Sequence, residues 1–97
     1  MKVEKIIDGD KLTVRIEGAI DTVTAPQLSA ELDLTTVKEL FFDISQVGYV
    51  SSAGLRVFLN CQKQMVKSGG SLSVSGANEA VQHIFKITGF SKIINFV

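Results

Sequence analysis

The segment from Leu40 to Gly70 constrains this chain more than any other. Leu40-Phe41-Phe42-Asp43-Ile44 is a compact apolar run. It is the pattern of an interior parallel strand covered on both faces. A loop from Ser45 to Val50 leads to the pair Ser51-Ser52, and apolar residues then recur at Leu55, Phe58, Leu59, Met65 and Val66, with Gln62, Lys63 and Lys67 between them. That spacing predicts an amphipathic helix of about four turns. Gly69-Gly70 ends it, because a residue with positive φ commonly terminates a helix. A buried strand followed by a one-sided helix points to a layered α/β fold.

The flanking segments extend the same pattern. Met1 to Ile7 is apolar at Met1, Val3, Ile6 and Ile7, a first strand, and Leu12, Val14 and Ile16 alternate with Thr13, Arg15 and Glu17, a second strand with one buried face. Asp8-Gly9-Asp10 between them predicts an antiparallel hairpin. A short helix is expected from Thr24, with Thr24 as N-cap, Gln27 completing a capping box and Pro26 in the first turn; Leu28 and Leu32 would be buried. Ser71 to Ser75 alternates Leu72 and Val74 with serine, a short strand. Asn78 is placed to cap a third helix with core positions Val81, Ile84 and Phe85, stopped at Gly89, and Ile93, Ile94, Phe96 and Val97 form a last strand. The expected order is β-β-α-β-α-β-α-β. After the opening hairpin every strand reaches the next through a helix, which predicts a mixed, largely parallel sheet with packed helices.

Composition removes several function classes. The 97 residues suit one domain, 1–97, and 45% hydrophobic content allows a real core. Ten basic and ten acidic residues cancel, with no polybasic run for nucleic acid or a membrane surface. Cys61 is the only cysteine, so no internal disulfide forms, and a reducing, cytoplasmic setting is expected. The charged N-terminus lacks the apolar core of a signal peptide, and no apolar stretch approaches the roughly 20 residues that span a bilayer.

Ligand sites in open α/β sheets lie beyond the carboxyl ends of the strands. If the second and third strands are neighbours, Asp21-Thr22 and Ser51-Ser52 share that edge. A serine at a helix start has two uses: its hydroxyl caps the helix, or it carries a phosphate that the exposed N–H groups and positive dipole end favour. Asp21 taken alone is a turn or capping residue. A serine nucleophile needs a base within reach; the only histidine, His83, is expected to face solvent on the third helix. No phosphate loop and no Cys/His/carboxylate cluster with metal-ligand spacing is present. Cys61, among helical core positions, reads as a small buried hydrophobe. No catalytic residue, cofactor or metal is expected.

Four motifs taken together carry a family resemblance. Gly18, Ile20, Asp21, Thr24 and Ala25 match a G-x-[LI]-D-x-x-[TN]-A pattern; Phe42-Asp43-Ile44-Ser45 with Val47 matches D-[LI]-S-x-V; Tyr49-Val50-Ser51-Ser52-Ala53-Gly54-Leu55 matches a signature turn; Thr88-Gly89-Phe90 with Lys92-Ile93 matches T-G-[FL]-x-K-[IL]. The sequence resembles the STAS domain family, the domain shared by sulfate transporters and anti-sigma factor antagonists, and the antagonist branch in particular. The resemblance implies a non-enzymatic binding module whose phosphoacceptor stands two positions before the glycine of the turn, here Ser52 before Gly54. It implies phosphorylation by a partner anti-sigma factor that is an ATP-dependent serine kinase, and reversal by a metal-dependent serine phosphatase. The unphosphorylated form would hold the anti-sigma factor and free the sigma factor. Asp21, Thr22, Ser51, Ser52, Gly54 and Arg56 are the expected partner-binding residues. Many phosphorylated members carry Asp where this chain has Ser51, and a small residue where it has Arg56. That arginine is open to three roles: contact with a phosphate, contact with a partner acid, or simple solvation. The alternatives are an unphosphorylated scaffold subunit of a stress-signalling or lipid-transport complex, and a nucleotide sensor.

Overall fold

The structure is a computed structural model and describes residues 1–97. Its elements follow the expected order: β1 (Lys2–Asp8), β2 (Lys11–Glu17), α1 (Thr24–Ala30), β3 (Glu39–Gln46), α2 (Ser52–Lys67), β4 (Ser71–Ser75), α3 (Glu79–Ile87), a single 3₁₀ turn (Phe90–Lys92) and β5 (Asn95–Phe96). They form a five-stranded sheet in the order β1-β2-β3-β4-β5. β1 and β2 are an antiparallel hairpin, and every later neighbour pair is parallel. The sheet is therefore mixed and largely parallel.

Register explains where the core lies. Leu12, Leu40 and Leu72 stand in one cross-strand row, and Val14, Phe42 and Val74 in the next. All six are buried, and the helices cover them. Because side chains alternate along a strand, Thr13, Phe41 and Ser73 fall on the opposite face. That face stays open: Phe41 is half-buried beneath Lys11, whose ammonium lies 5.9 Å from the ring centroid, and Arg15 bridges Glu4 and Asp43 in solvent. β3 is thus central in the sheet but covered on one face only, against the expectation of two. The apolar residue Phe41 supplied the misleading signal; it is sheltered by a lysine stem rather than by a second layer.

The helix layer is tied to the sheet by aromatic rings. Phe42 of β3, Phe58 of α2, Phe85 of α3 and Phe96 of β5 stack edge to face in series, with centroid separations of 4.9, 5.6 and 5.1 Å. Such pairs add about 0.5–1.5 kcal/mol each beyond their buried area. α2 ends as expected. Gly69 adopts φ +78°, its N–H reaches the Val66 carbonyl at 3.1 Å, and the Gly70 N–H reaches Met65 at 2.7 Å. This is a Schellman closure. Asn78 caps α3, its Oδ1 accepting the Val81 N–H at 2.8 Å.

Three local expectations are corrected. Val66, placed on the apolar stripe of α2, is 65% exposed, because the stripe has rotated past it by the last turn. The last strand is shorter than expected: Ile93 is exposed and follows the 3₁₀ turn, and only Ile94 turns into the core before the short β5. The start of α1 also differs. Thr24 is not its N-cap, and Gln27 closes no capping box. The box lies one turn upstream, where Asp21 Oδ1 accepts the Thr24 N–H at 2.9 Å and Thr24 Oγ accepts the Asp21 N–H at 2.8 Å.

Candidate functional site

β2 and β3 are parallel neighbours, so their carboxyl ends emerge on the same edge. The loops beyond them are stitched together. Ile20 and Val50 form an isolated parallel bridge, the Ile20 N–H donates to the Tyr49 carbonyl at 2.9 Å, and the Ser51 N–H donates to the Ile20 carbonyl at 2.8 Å. Both bridging side chains are buried. The structure thereby brings Asp21-Thr22 beside Ser51-Ser52, as the sequence predicted.

The two serines divide the roles that the sequence left open. Ser51, in extended conformation, is the N-cap of α2; its Oγ accepts the Gly54 N–H at 3.2 Å, and its carbonyl accepts the Leu55 N–H at 2.9 Å. It is half-buried. Ser52 is the first helical residue, is exposed, and its hydroxyl makes no hydrogen bond within the protein. No acidic residue occupies the first turn of α2, so the positive end of the helix is not neutralised from within. Arg56 is exposed one turn further on.

Gly54 explains why the site has this shape. It is buried, and a Cβ there would lie 2.7 Å from Ile20 Cγ2, 2.8 Å from the Ile20 carbonyl oxygen and 2.9 Å from Val50 Cγ1. Only hydrogen fits between the helix start and the Ile20–Val50 bridge. Gly54 therefore seats the helix, and it is buried where its expected companions at the contact, Thr22, Ser52 and Arg56, are exposed.

Asp21 is first a capping residue. Its Oδ1 accepts the N–H groups of Val23 and Thr24, each at 2.9 Å, and these bonds hold its carboxyl below the usual carboxylate range. The Thr24 hydroxyl donates to the Ala19 carbonyl at 2.8 Å and completes the turn. Asp21 Oδ2 has no protein partner, and Thr22 is exposed beside it.

Two residues at this edge escaped the sequence reading. Val23 is 70% exposed and Tyr49 is 53% exposed, on the two loops that the Ile20–Val50 bridge joins. An apolar residue inside a polar loop that folds outward was the available signal, and the motif pattern drew attention to the serines instead.

Elsewhere, an open groove of about 730 Å³ runs between α3 and β5, lined by Gln82, His83, Lys86 and Phe96. His83 is exposed there, as expected, and neither serine contributes to that groove. Cys61 is buried, and burial pushes its thiol up to about 11. No helix is long and apolar enough to cross a membrane.

A model of the STAS domain matches residues 2–97. This chain belongs to the STAS domain family. It is 34% identical over 90 residues to an anti-sigma-B factor antagonist of Listeria monocytogenes, covering 90% of this chain and 79% of that protein. It is 35% identical over 86 residues to the anti-sigma-B factor antagonist of Bacillus subtilis, covering 87% and 79%. In fold it is similar to the anti-sigma factor antagonist SpoIIAA in its unphosphorylated form, with a TM-score of 0.80 at 12% identity over 99% of this chain and 87% of that one. The phosphorylated form of SpoIIAA gives a TM-score of 0.78 at 12% identity over 99% and 91%.

Proposed function

We propose that this STAS domain is an anti-sigma factor antagonist whose contact surface is switched by phosphorylation of Ser52. The carrying observation is the split between the serines: Ser51 is spent on the Gly54 N–H, whereas Ser52 is exposed with a free hydroxyl beside Asp21 and Thr22. The relatives' names supply the partner class, an anti-sigma factor. The partner is a serine kinase: the Ser52 Oγ takes the γ-phosphoryl group of ATP, its proton passes to a base of the kinase, and ADP leaves. A metal-dependent serine phosphatase returns the hydroxyl by hydrolysis. The domain itself is a binding module rather than an enzyme and works in the cytoplasm.

The surface has the composition of a protein contact. Val23 and Tyr49 offer exposed apolar area on the two bridged loops, and Thr22, Ser52 and Arg56 are exposed polar groups of the same loops and the helix that follows. Ser51 performs the capping task open to an aspartate at this position, because either side-chain oxygen accepts the helix N–H. A phosphate on Ser52 adds about −1.5 to −2 charges and three strong acceptors. The helix end accommodates that charge without unfolding, and both forms of SpoIIAA share this fold. At the interface the same group adds bulk, desolvation cost and repulsion of partner carboxylates. A loss of about 3 kcal/mol makes the complex roughly a hundredfold weaker.

The test pairs the chain with its anti-sigma factor and Mg-ATP. Mass spectrometry is expected to show one phosphate, absent from Ser52→Ala and retained in Ser51→Ala. Ser52→Asp is expected to weaken the complex while the thermal midpoint stays nearly constant. Unchanged affinity in both Ser52 variants would instead mark an unmodified scaffold subunit.

A further inference from the structure

We infer that Arg56 is the internal cation that receives a phosphate carried on Ser52. This rests on the reading of Ser52 as the modified residue, and it assigns the arginine a partner within its own helix. Ser52 and Arg56 are four residues apart in α2 and both are exposed. Side chains at that spacing rise from one helix face with Cβ atoms about 5–6 Å apart. The anion precedes the cation, which is the favourable order for such a pair.

The unmodified protein gives Arg56 nothing to do. Its ion pairs engage Lys5 and Arg15, and Arg56 takes part in none of them and in no side-chain hydrogen bond. The first turn of α2 contains no acidic residue to compete for it. Several exposed lysines are unpaired as well; what sets Arg56 apart is its place, one turn after Ser52 on the same helix, where a phosphate would meet it. The planar guanidinium can present two N–H donors to two phosphate oxygens. Pairing favours the dianion, so the second ionisation of the phosphate shifts to lower pH. It also withdraws Arg56 from any acidic residue of a partner at the moment the phosphate appears.

Other charges bear on that ionisation, and none tracks Arg56. Asp21, on the segment paired with the serine loop, is kept ionised by its own turn. Glu79 lies in the first turn of α3, whose Asn78 side chain donates to the Val47 carbonyl at 3.3 Å, behind the same loop. These groups are the same in every variant below.

The test installs phosphoserine at position 52 during translation of the full chain, so no kinase is needed. ³¹P resonance is followed from about pH 4 to 8, spanning the phosphate ionisation, in the parent, Arg56→Gln and Arg56→Lys. The parent is expected to ionise about 0.2–0.4 unit below Arg56→Gln, with Arg56→Lys between them. The gap should shrink in roughly 1 M salt. Equal ionisation in the parent and Arg56→Gln overturns the pairing and leaves Ser52 intact as phosphoacceptor. Failure of a kinase to modify Ser52 in the natural chain would instead remove the switch while this titration stood.

Discussion

The Ile20 carbonyl oxygen accepts the Ser51 N–H at 2.8 Å and lies 2.8 Å from where a Cβ on Gly54 would sit. One backbone group thus fixes the serine loop and limits how close the helix start can come. Gly54→Ala sets two effects against each other. Alanine is the better helix former by about 1 kcal/mol. The added methyl meets backbone as well as the Ile20 and Val50 side chains, and overpacking of that kind costs about 1–3 kcal/mol. The steric term wins, because a carbonyl tied into the bridge cannot move aside cheaply. Gly54→Ala is expected to lower the urea midpoint and weaken anti-sigma factor binding together. A more stable variant would show that the helix start has room to move.

The serines are expected to separate stability from switching. Ser51→Ala removes the cap of α2 and should cost about 1 kcal/mol in urea unfolding. Ser52→Ala removes an exposed hydroxyl without a partner and should leave the midpoint within about 0.5 kcal/mol of the parent. Equal losses in the two variants would contradict the division of roles drawn from their hydrogen bonds.

Acid sensitivity follows from three carboxylates. Asp21 is held below the usual range by the Thr24 and Val23 N–H groups, Asp33 by the Thr35 hydroxyl and N–H, and Asp43 by the Ser45 hydroxyl and N–H, with Arg15 adding to it. A carboxyl with a depressed folded value contributes stability above its unfolded value, near pH 4. That contribution is lost as pH falls through the folded value. The denaturation midpoint should therefore hold from neutrality to about pH 5 and fall below about pH 4. Asp43→Asn should show a shallower acid decline than the parent; an unchanged slope would mean that its Ser45 bonds also persist in the unfolded chain.

Element order, the hairpin, both helix stops and the meeting of Asp21 with Ser51 were legible in the sequence, because each follows from local pattern plus the parallel connection of neighbouring strands. What escaped depended on the other side of a contact. Phe41 looks like core until the missing second layer is seen. The Asp21–Thr24 box was hidden by a second plausible box, Thr24 with Gln27, one turn later. Gly54 reads as a motif glycine, and only the approach of Ile20 shows that its lack of a side chain is what matters. The exposure of Val23 and Tyr49 is likewise a property of two loops held against each other, and neither loop reveals it alone.

Cys61 should be chemically silent in the folded protein. It projects from α2 into the core and is 5% exposed, and burial raises its thiol to about 11. At pH 8 a thiol of that acidity is only about one part in a thousand thiolate, the form that reacts. Access and ionisation both oppose modification, so labelling must wait for an opening of the structure. Iodoacetamide at pH 8 is expected to label Cys61 far more slowly than a small free thiol, and the rate should rise steeply across the urea transition. Gly54→Ala should label faster than the parent in buffer, because a destabilised core opens more often. Rapid labelling of the native parent would mean that α2 moves off the sheet readily, and a helix that loose could not hold Ser52 at a fixed place on the contact surface.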